Sequence, residues 1–291
     1  MVAEADPYTT RGINVLAVAV PALRHRDIRG AVLAFVRTVV TDFFWLQFSV
    51  KWGLRRVPIV DVDHPLDDEV PFAPEKVGVY LDFIAFWIRP LGYIGRRFGA
   101  DAQRRYAVDY LRLIERCYRE SAGVYRFRMS TTRRPRYFRG QFLTIQLFDP
   151  HYLCVPSLHV MIVVLTYTFF RRAFAELGLT GAEADSLDAE LFGGAVEITE
   201  TVLYIKQHSV NCIPAALYAM SRITPEEVND SEVEAFVDRL FADAPLLAGD
   251  ADDRLRSHIR QAYDHLTDEG STDQDWTPAV RRFLGAYRAM R

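Results

Sequence analysis

An apolar run from Tyr152 to Phe170 constrains the fold of this chain more than any other feature. The run contains no Asp, Glu, Lys or Arg, and its single histidine is His159. A helix needs about 20 apolar residues to cross the hydrocarbon core of a bilayer. We therefore expect this run to form a helix that either spans a membrane or lies in the core of a helical bundle.

Further apolar stretches, at 31–50, 77–94, 191–205 and 209–220, are either too short to span a bilayer or interrupted by charges. The interrupting residues are Arg37, Asp42, Asp82, Arg89, Glu197 and Glu200. Arginines cluster at the ends of the apolar stretches, where they would lie among lipid head groups. Charged residues nevertheless make up 25% of the chain, which favours a soluble bundle with charged helix ends. Composition alone leaves both possibilities open.

The fold class and the domain organisation follow from the periodicity of the apolar residues. Strand signals are sparse, and the composition becomes acidic and polar near residue 222. We predict an all-α fold, with a membrane-associated bundle of about six core helices in residues 1–222 and a soluble helical C-terminal extension in residues 223–291. In the extension, apolar residues recur at helical spacing: Leu255, Ile259, Ala262, Tyr263 and Leu266, then Trp276, Val280, Phe283, Leu284 and Tyr287. We expect the extension to cover or regulate the first part of the chain.

Net charge, cysteine spacing and the N-terminal residues argue against several classes of partner, bound metal and processing. The 35 basic and 38 acidic residues give a net charge of −3, so we expect no nucleic acid partner. Cys117, Cys154 and Cys212 stand far apart, and none has a neighbour at zinc-binding spacing. We therefore expect no disulfide framework, no metal site and no cofactor. Acidic Glu4 and Asp6, and the absence of a clear cleavage site, argue against a cleaved signal peptide.

Four segments together contain the groups that phosphoryl transfer requires: 64–74, 126–139, 154–160 and 201–208. The reaction needs cations for the phosphate oxygens, a nucleophile for phosphorus and an acid for the leaving oxygen. Arginines near Arg136 offer donors that match phosphate geometry. Ser157 offers a hydroxyl at a helix start, where backbone N–H groups also face anions. His159 and His208 offer the nucleophile and the acid.

Each of these residues also has a simpler interpretation. A histidine between Leu158 and Val160 is most often a hydrogen-bonded core residue. Lys206 alone is most often a solvated or snorkelling residue at a helix end, and an arginine run is most often a surface patch. Only the order and spacing of the segments favour a shared site.

The order and spacing resemble the type 2 phosphatidic acid phosphatase and haloperoxidase superfamily, in the branch of lipid phosphatases and sphingolipid head-group transferases. The resemblance covers about residues 64–218. Pro156-Ser157-Leu158-His159 is similar to the second motif of that branch, and Lys206-Gln207-His208 to its third. Pro135-Arg136 resembles the proline and arginine of the first motif, which is loose enough that Arg134 is an alternative to Arg136.

The resemblance implies a role for each of these residues. His208 would be the nucleophile that forms a phosphohistidine, and His159 the acid that protonates the leaving alcohol. Ser157 and Arg136, or Arg134, would bind phosphate, and Lys206 would add positive charge nearby. The family uses no metal ion. The implied protein is a multi-pass protein of a bacterial or archaeal cytoplasmic membrane with a lipid phosphate as its substrate.

The chain departs from the family pattern after the second histidine. Ser209 stands where the family has tyrosine, and Cys212 stands where it has an aspartate that orients the imidazole. In the comparable serine-protease arrangement, replacing the aspartate costs about 10⁴ in turnover. Either Glu197 or Glu200 replaces that carboxylate, or the protein is weakly active or inactive.

Three hypotheses therefore remain. The leading one is a metal-independent lipid phosphatase. The second is a relative that is inactive or weak and binds lipid phosphate or a protein partner, or one that transfers a phosphate-bearing head group. The third is a soluble helical protein whose motif matches are accidental. If the site is real, His159 and His208 come from consecutive helices joined by a loop at 178–188, and their side chains converge near Arg136.

Overall fold

The computed structural model describes residues 8–288, so the expectation about Glu4 and Asp6 lies outside the described residues. The chain is 68% helix and 3% strand, which confirms the all-α prediction. The helices of the first part are α1 Val15–Ala22, α2 Arg26–Thr38, α3 Trp45–Lys51, α4 Val77–Leu81, α5 Phe83–Phe98, α6 Ala100–Phe127, α7 Gln141–Phe148, α8 Leu158–Glu176, α9 Gly181–Tyr204 and α10 Cys212–Ile223. A π-helical turn, Val39–Phe44, joins α2 to α3.

Helix α8 is the centre of the fold. It begins after Pro156 because Ser157, in an extended conformation, caps it by accepting a hydrogen bond from the Val160 N–H. Most of its side chains are buried, and it packs against α5, α6, α9 and α10. The apolar run of the sequence thus forms a helix that other parts of the protein surround, and its first turn carries His159.

A small parallel sheet ties the segments around the start of α8 together. Strand β1, Ile59–Asp61, pairs with β2, Met129–Thr131. Ser130 in β2 also accepts a hydrogen bond from the Cys154 N–H at 3.2 Å and donates its own N–H to the Tyr152 carbonyl at 3.0 Å. The sheet therefore brings the segments that follow β1 and β2 next to the segment that leads into α8.

Three helical runs among the described residues are long and apolar enough to cross a membrane: Arg26–Lys51, Pro74–Phe98 and Leu158–Glu176. The first two leave most of their residues uncovered by the protein, whereas the third is mostly buried in it. Large apolar side chains are exposed in the first two runs and in the segments next to them: Leu16, Val20, Leu23, Leu33, Val36, Val40, Phe44, Trp45, Trp52, Leu54, Leu81 and Ile84. Ten of these twelve residues lie between Leu16 and Leu54, so the exposed apolar side chains are concentrated in one part of the chain rather than scattered over it.

Acidic residues that interrupt two of these runs in the sequence have basic partners in the structure. Asp42 pairs with Arg126 of α6, and Asp82 forms two hydrogen bonds with Arg89 at 2.5 and 2.6 Å. An ion pair lowers the cost of placing a charge in apolar surroundings. Because they are paired, Asp42 and Asp82 argue less strongly against membrane spans than they do in the sequence alone.

The C-terminal extension folds onto the first part. Its helices are α11 Asp230–Arg239, α12 Ala251–Glu269 and α13 Thr277–Gly285. Helix α12 packs on α10 and α13 packs on α6, where Trp276 Nε1 donates to Glu120 Oε2 at 2.8 Å. The predicted apolar stripes face this interface, with Leu255, Ile259, Leu266 and Trp276 among the buried residues.

The expectation of a loop at 178–188 between the two histidine-bearing helices is wrong. Helix α9 already begins at Gly181, so the connection from α8 is only a short turn after Glu176. Gly178 supports this turn with a φ of 80°, a conformation that costs glycine little.

Candidate functional site

The two motif histidines lie side by side, although they are far apart in sequence. His159 lies in the first turn of α8, and His208 lies in the segment 205–211, which connects α9 to α10. Their ring centroids are 5.7 Å apart with an interplanar angle of 65°. His208 is therefore held by an irregular connection rather than by a helix, contrary to the expectation of two consecutive helices.

Both ring nitrogens of His208 have a defined partner. Nδ1 lies 3.2 Å from the main-chain oxygen of Cys154, and Nε2 lies 3.2 Å from Ser157 Oγ. A carbonyl oxygen only accepts hydrogen bonds, so Nδ1 carries the proton and Nε2 has the free lone pair. The Ser157 hydroxyl, which accepts from the Val160 N–H, donates to that lone pair. The arrangement orients Nε2 as a nucleophile.

The charge state of His208 supports the same role. Burial lowers the pKa of His208 well below its ordinary value, and the neighbouring rings of His159 and His151 lower it further. His208 is consequently neutral near pH 7, the form in which an imidazole nitrogen attacks phosphorus.

A small cavity of about 30 Å³ opens beside the two histidines. Asp149, His151 and Gln207 contribute its other polar side chains, and the remaining lining residues are Phe43, Tyr80, Leu153, Cys154 and Leu158. The cavity has the size of a water molecule or two rather than of a lipid head group. Entry of a substrate therefore requires the cavity to widen.

Asp149 organises the wall of this cavity. Its carboxylate accepts from Arg134 Nη2 at 3.0 Å and from the His151 N–H at 2.9 Å. Burial by itself raises the pKa of Asp149, but the hydrogen bond and charge of His151 and the charge of Arg134 outweigh it and leave the pKa below its usual range. Asp149 is thus an anion that faces both histidines.

Arg134 connects the cavity wall to the third motif. One guanidinium nitrogen donates both to Asp149 and to the side-chain oxygen of Gln207, the residue before His208. A second nitrogen donates to the Asp149 main-chain oxygen at 3.2 Å. Arg134 Nε is buried and has no hydrogen-bond partner within the part of the chain that the structure describes. A buried donor without a partner is costly, which makes this nitrogen suited to an anion.

Arg136, the first choice from sequence, is exposed and does not line the cavity. Arg134 does not line the cavity either, but it bonds to two residues that do, Asp149 and Gln207, so the predicted arginine beside the histidines is Arg134 rather than Arg136. The two arginines are separated only by Pro135 in an irregular segment, so their spacing carries no information about which one turns inward.

Lys206 lies behind the cavity rather than in it. Its ammonium group donates to the main-chain oxygens of Asp67 and Val70. Burial lowers the pKa of Lys206, although Asp67 and Asp68 oppose this effect. Lys206 and Arg134 both line a neighbouring depression of about 280 Å³. Lys206 thus fixes the acidic loop 64–69 onto the segment that carries His208.

Neither glutamate proposed to replace the family's aspartate reaches His208. Glu200 accepts a hydrogen bond from the Phe241 N–H at 2.6 Å, and Glu197 is exposed on α9. Cys212 is the buried first residue of α10, and burial raises the pKa of its thiol, which keeps it neutral. The carbonyl of Cys154 holds Nδ1 instead, so the orientation of the imidazole survives although no carboxylate supplies it.

Sequence reasoning missed Asp149, His151 and the Cys154 carbonyl. Asp149-Pro150-His151 stands directly before the apolar run, and a carboxylate beside a histidine within ten residues of Ser157 was a usable signal. The carbonyl had no such signal, because every residue has one.

Among residues 8–288, no group of three or more histidine, cysteine or acidic side chains is placed to hold a metal ion. Comparison with protein-family models, curated proteins and solved structures gave no match for the chain. The family resemblance therefore depends on the motif residues of the sequence alone.

Proposed function

We propose that this protein is a metal-independent phosphatase of lipid phosphates that works through a phosphohistidine on His208. The observation that carries the proposal is the pairing of a neutral, oriented His208 Nε2 with Ser157 Oγ, beside His159 and within reach of the Arg134 network. The proposed nucleophile and acid line one cavity, and the cation lies next to it, bound to the lining residues Asp149 and Gln207. Phosphoryl transfer requires these three kinds of group.

The reaction proceeds in two displacements. His208 Nε2 attacks phosphorus and forms a P–N bond while the bond from phosphorus to the lipid oxygen breaks. His159 takes up a proton when the anionic phosphate binds beside it and gives this proton to the leaving oxygen, so the lipid departs as an alcohol. Water then attacks the phosphohistidine, His159 takes a proton from that water, and inorganic phosphate leaves with the P–N bond broken.

Three groups of the site suit the phosphate oxygens. Arg134 Nε is a buried donor that lacks a partner among the described residues. The hydroxyl of Ser157 lies next to Nε2, and the first N–H groups of α8, including that of His159, have no carbonyl partner within the helix. The N-terminus of α8 therefore favours negative charge where the phosphate would lie.

The exposed apolar side chains support a location in a membrane, and we propose that the protein crosses a bacterial or archaeal cytoplasmic membrane more than once. Two of the three candidate spans leave most of their residues uncovered, as helices in contact with lipid do. Trp52, Arg55 and Arg56 are exposed between α3 and β1, directly after the first candidate span. Tryptophan and arginine favour the level of the lipid head groups. The site would then open where a lipid phosphate lies.

A second candidate function is binding of lipid phosphate without turnover. It is favoured by the thiol of Cys212, which cannot balance the charge of a phosphorylated imidazole, and by the small volume of the cavity. Head-group transfer differs from hydrolysis only in the acceptor, since an alcohol rather than water would then attack the phosphohistidine.

The test is release of phosphate by detergent-purified protein from a panel of lipid phosphates in the presence of a metal chelator. We expect release by the wild type, background release by His208→Ala, and unchanged release by His265→Ala, which removes an exposed histidine of α12. Equal release by wild type and His208→Ala would overturn the assignment. Binding of lipid phosphate without release would establish the second candidate. Formation of a product in which the phosphate group is attached to an acceptor alcohol would establish the transferase.

A further inference from the structure

A phosphorylated or protonated imidazole is positively charged, and His208 lacks the usual anionic partner for it. Its Nδ1 faces the neutral carbonyl of Cys154 at 3.2 Å, and Cys212 offers only a neutral thiol. A carbonyl fixes the tautomer but supplies only a partial negative charge. The proposed reaction therefore needs a carboxylate from elsewhere in the fold.

Other acidic residues near the segment 205–211 are engaged away from the cavity. Asp67 accepts from the Val210 N–H at 2.7 Å and from the His64 N–H at 2.8 Å, and it does not line the cavity. Asp63 pairs with Arg133 at 2.6 Å. Glu200 caps the Phe241 N–H, as described above.

Asp149 is the acidic residue that lines the cavity together with both histidines. Arg134 and the His151 N–H hold its carboxylate in place at 3.0 and 2.9 Å. Its side chain is 29% exposed, so part of the carboxylate remains free to face the cavity. An anion fixed by such contacts stabilises a cation that develops nearby without having to move.

We propose that Asp149 is the positioning residue that supplies the negative charge for His208, in place of the carboxylate that Cys212 lacks. The inference rests on the proposed function. The two functions of the missing carboxylate are thus divided between two groups. The main-chain carbonyl of Cys154 orients the His208 ring, and Asp149 balances the charge of that ring across the cavity.

The groups that face His208 come from several elements. Asp149, His151 and Cys154 belong to the segment before α8, His159 belongs to α8, and Tyr80 reaches the cavity from α4. Arg134 does not line the cavity and is connected to His208 through its hydrogen bond to Gln207, the preceding residue. Among these groups Asp149 is the anion, and its charge favours the protonated form of His208. Removing that charge lowers the pKa of His208.

The decisive variant is Asp149→Asn, which keeps the shape of the side chain and one oxygen, able to accept from either Arg134 or the His151 N–H, but removes the charge. We expect kcat/KM near pH 7 to fall by at least about tenfold, mainly through kcat. A tenfold loss is what the reaction loses when the stabilisation of the charged His208 ring falls by the equivalent of one pKa unit. We also expect the acid limb of the pH profile to move to lower pH, since that limb reports deprotonation of His208. The control Glu197→Gln removes one exposed carboxylate of α9 and leaves both quantities unchanged.

A second variant separates charge from structural damage. Adding Cys212→Asp to Asp149→Asn returns a carboxylate near His208, and we expect it to restore part of the lost kcat. Unchanged activity and pH profile in Asp149→Asn would overturn the role of Asp149 while leaving the phosphatase assignment intact. A loss in Asp149→Asn without a shift of the acid limb or rescue by Cys212→Asp would indicate a structural effect and also overturn it.

A second readout does not depend on turnover and applies even if the wild type releases no phosphate. Histidine titration by NMR measures the pKa of His208 in the wild type and in Asp149→Asn. A lower pKa in the variant supports the electrostatic role, and an unchanged pKa contradicts it.

Discussion

Replacing His258 with alanine tests whether the C-terminal extension holds the catalytic segment in place. His258 Nε2, on α12, lies 2.8 Å from Asn211 Oδ1, and its ring stacks on His64 with centroids 4.1 Å apart. Asn211 is 3% exposed and also donates to the Val62 carbonyl at 3.0 Å. The alanine variant therefore leaves a buried oxygen of the segment 205–211 without its donor.

The magnitude follows from these contacts. A buried acceptor that loses its partner costs about 1–3 kcal/mol, and the ring stack adds about 0.5–1.5 kcal/mol. Because His258 is only partly buried, water can replace part of the lost bond, and we expect a net loss near 2 kcal/mol, within the range for a broken buried contact. For a protein of roughly this size, that loss lowers Tm by about 4–8 °C.

The effect depends on pH in a defined direction. Burial, together with the neighbouring charge of His64, lowers the pKa of His258 to about 4 from 6.5. As the pH falls below about 6.5, unfolded His258 takes up a proton before folded His258 does, so the wild type loses stability. The alanine variant lacks this contribution, whereas His151 and His208 titrate in both proteins. The difference between wild type and variant therefore narrows as the pH falls toward 4.

Thermal unfolding in detergent, followed by tryptophan fluorescence, measures this difference, since Trp276 is buried where the extension meets α6. The control is His265→Ala, whose side chain on the same helix is 61% exposed. A loss in His258→Ala no larger than in the control would show that His258 does not hold the segment 205–211 in place. A difference between wild type and His258→Ala that widens at acid pH would contradict the lowered pKa of His258.

Three further predictions concern the site and the extension. Arg134→Ala lowers kcat/KM by at least about 100-fold, the order expected for a lost charged contact in the transition state. Arg136→Ala, at the exposed neighbouring position, stays near wild type, and equal effects of the two variants would contradict the choice of Arg134 over Arg136. Ser157→Ala lowers kcat and, as a lost helix cap, also destabilises the protein by about 1 kcal/mol in denaturant unfolding; full activity would show that Nε2 needs no hydroxyl. Leu255→Ala, at a fully buried position of α12, costs about 2–5 kcal/mol, against almost nothing for the exposed Leu246→Ala, and similar losses would mean that the extension does not pack as described.

The elements that sequence predicted well are those whose signal is local. The apolar run and Pro156-Ser157 placed the start of α8, because a capping hydroxyl and a long apolar stretch act within one helix. The stripe through Leu255, Ile259 and Leu266 likewise identified the buried face of α12, since burial on one face imposes a helical period on the sequence.

The elements that sequence misjudged depend on contacts between distant residues. Asp42 looked like an interruption because its partner Arg126 lies 84 residues away. The choice between Arg134 and Arg136 is made by Asp149 and Gln207, which no local pattern connects to either arginine. The Cys154 carbonyl is a main-chain atom, so its role in orienting His208 leaves no mark on the residue type.

Rapid-quench trapping of a phosphorylated enzyme shows directly whether His208 forms a covalent bond to phosphorus. The wild type is mixed with a lipid phosphate that carries a radioactive phosphorus, quenched in alkali and digested to peptides. We expect an acid-labile label on His208, as a P–N bond gives, and no label in His208→Ala. Label on Ser157, or release of phosphate with no label on His208, would contradict the account.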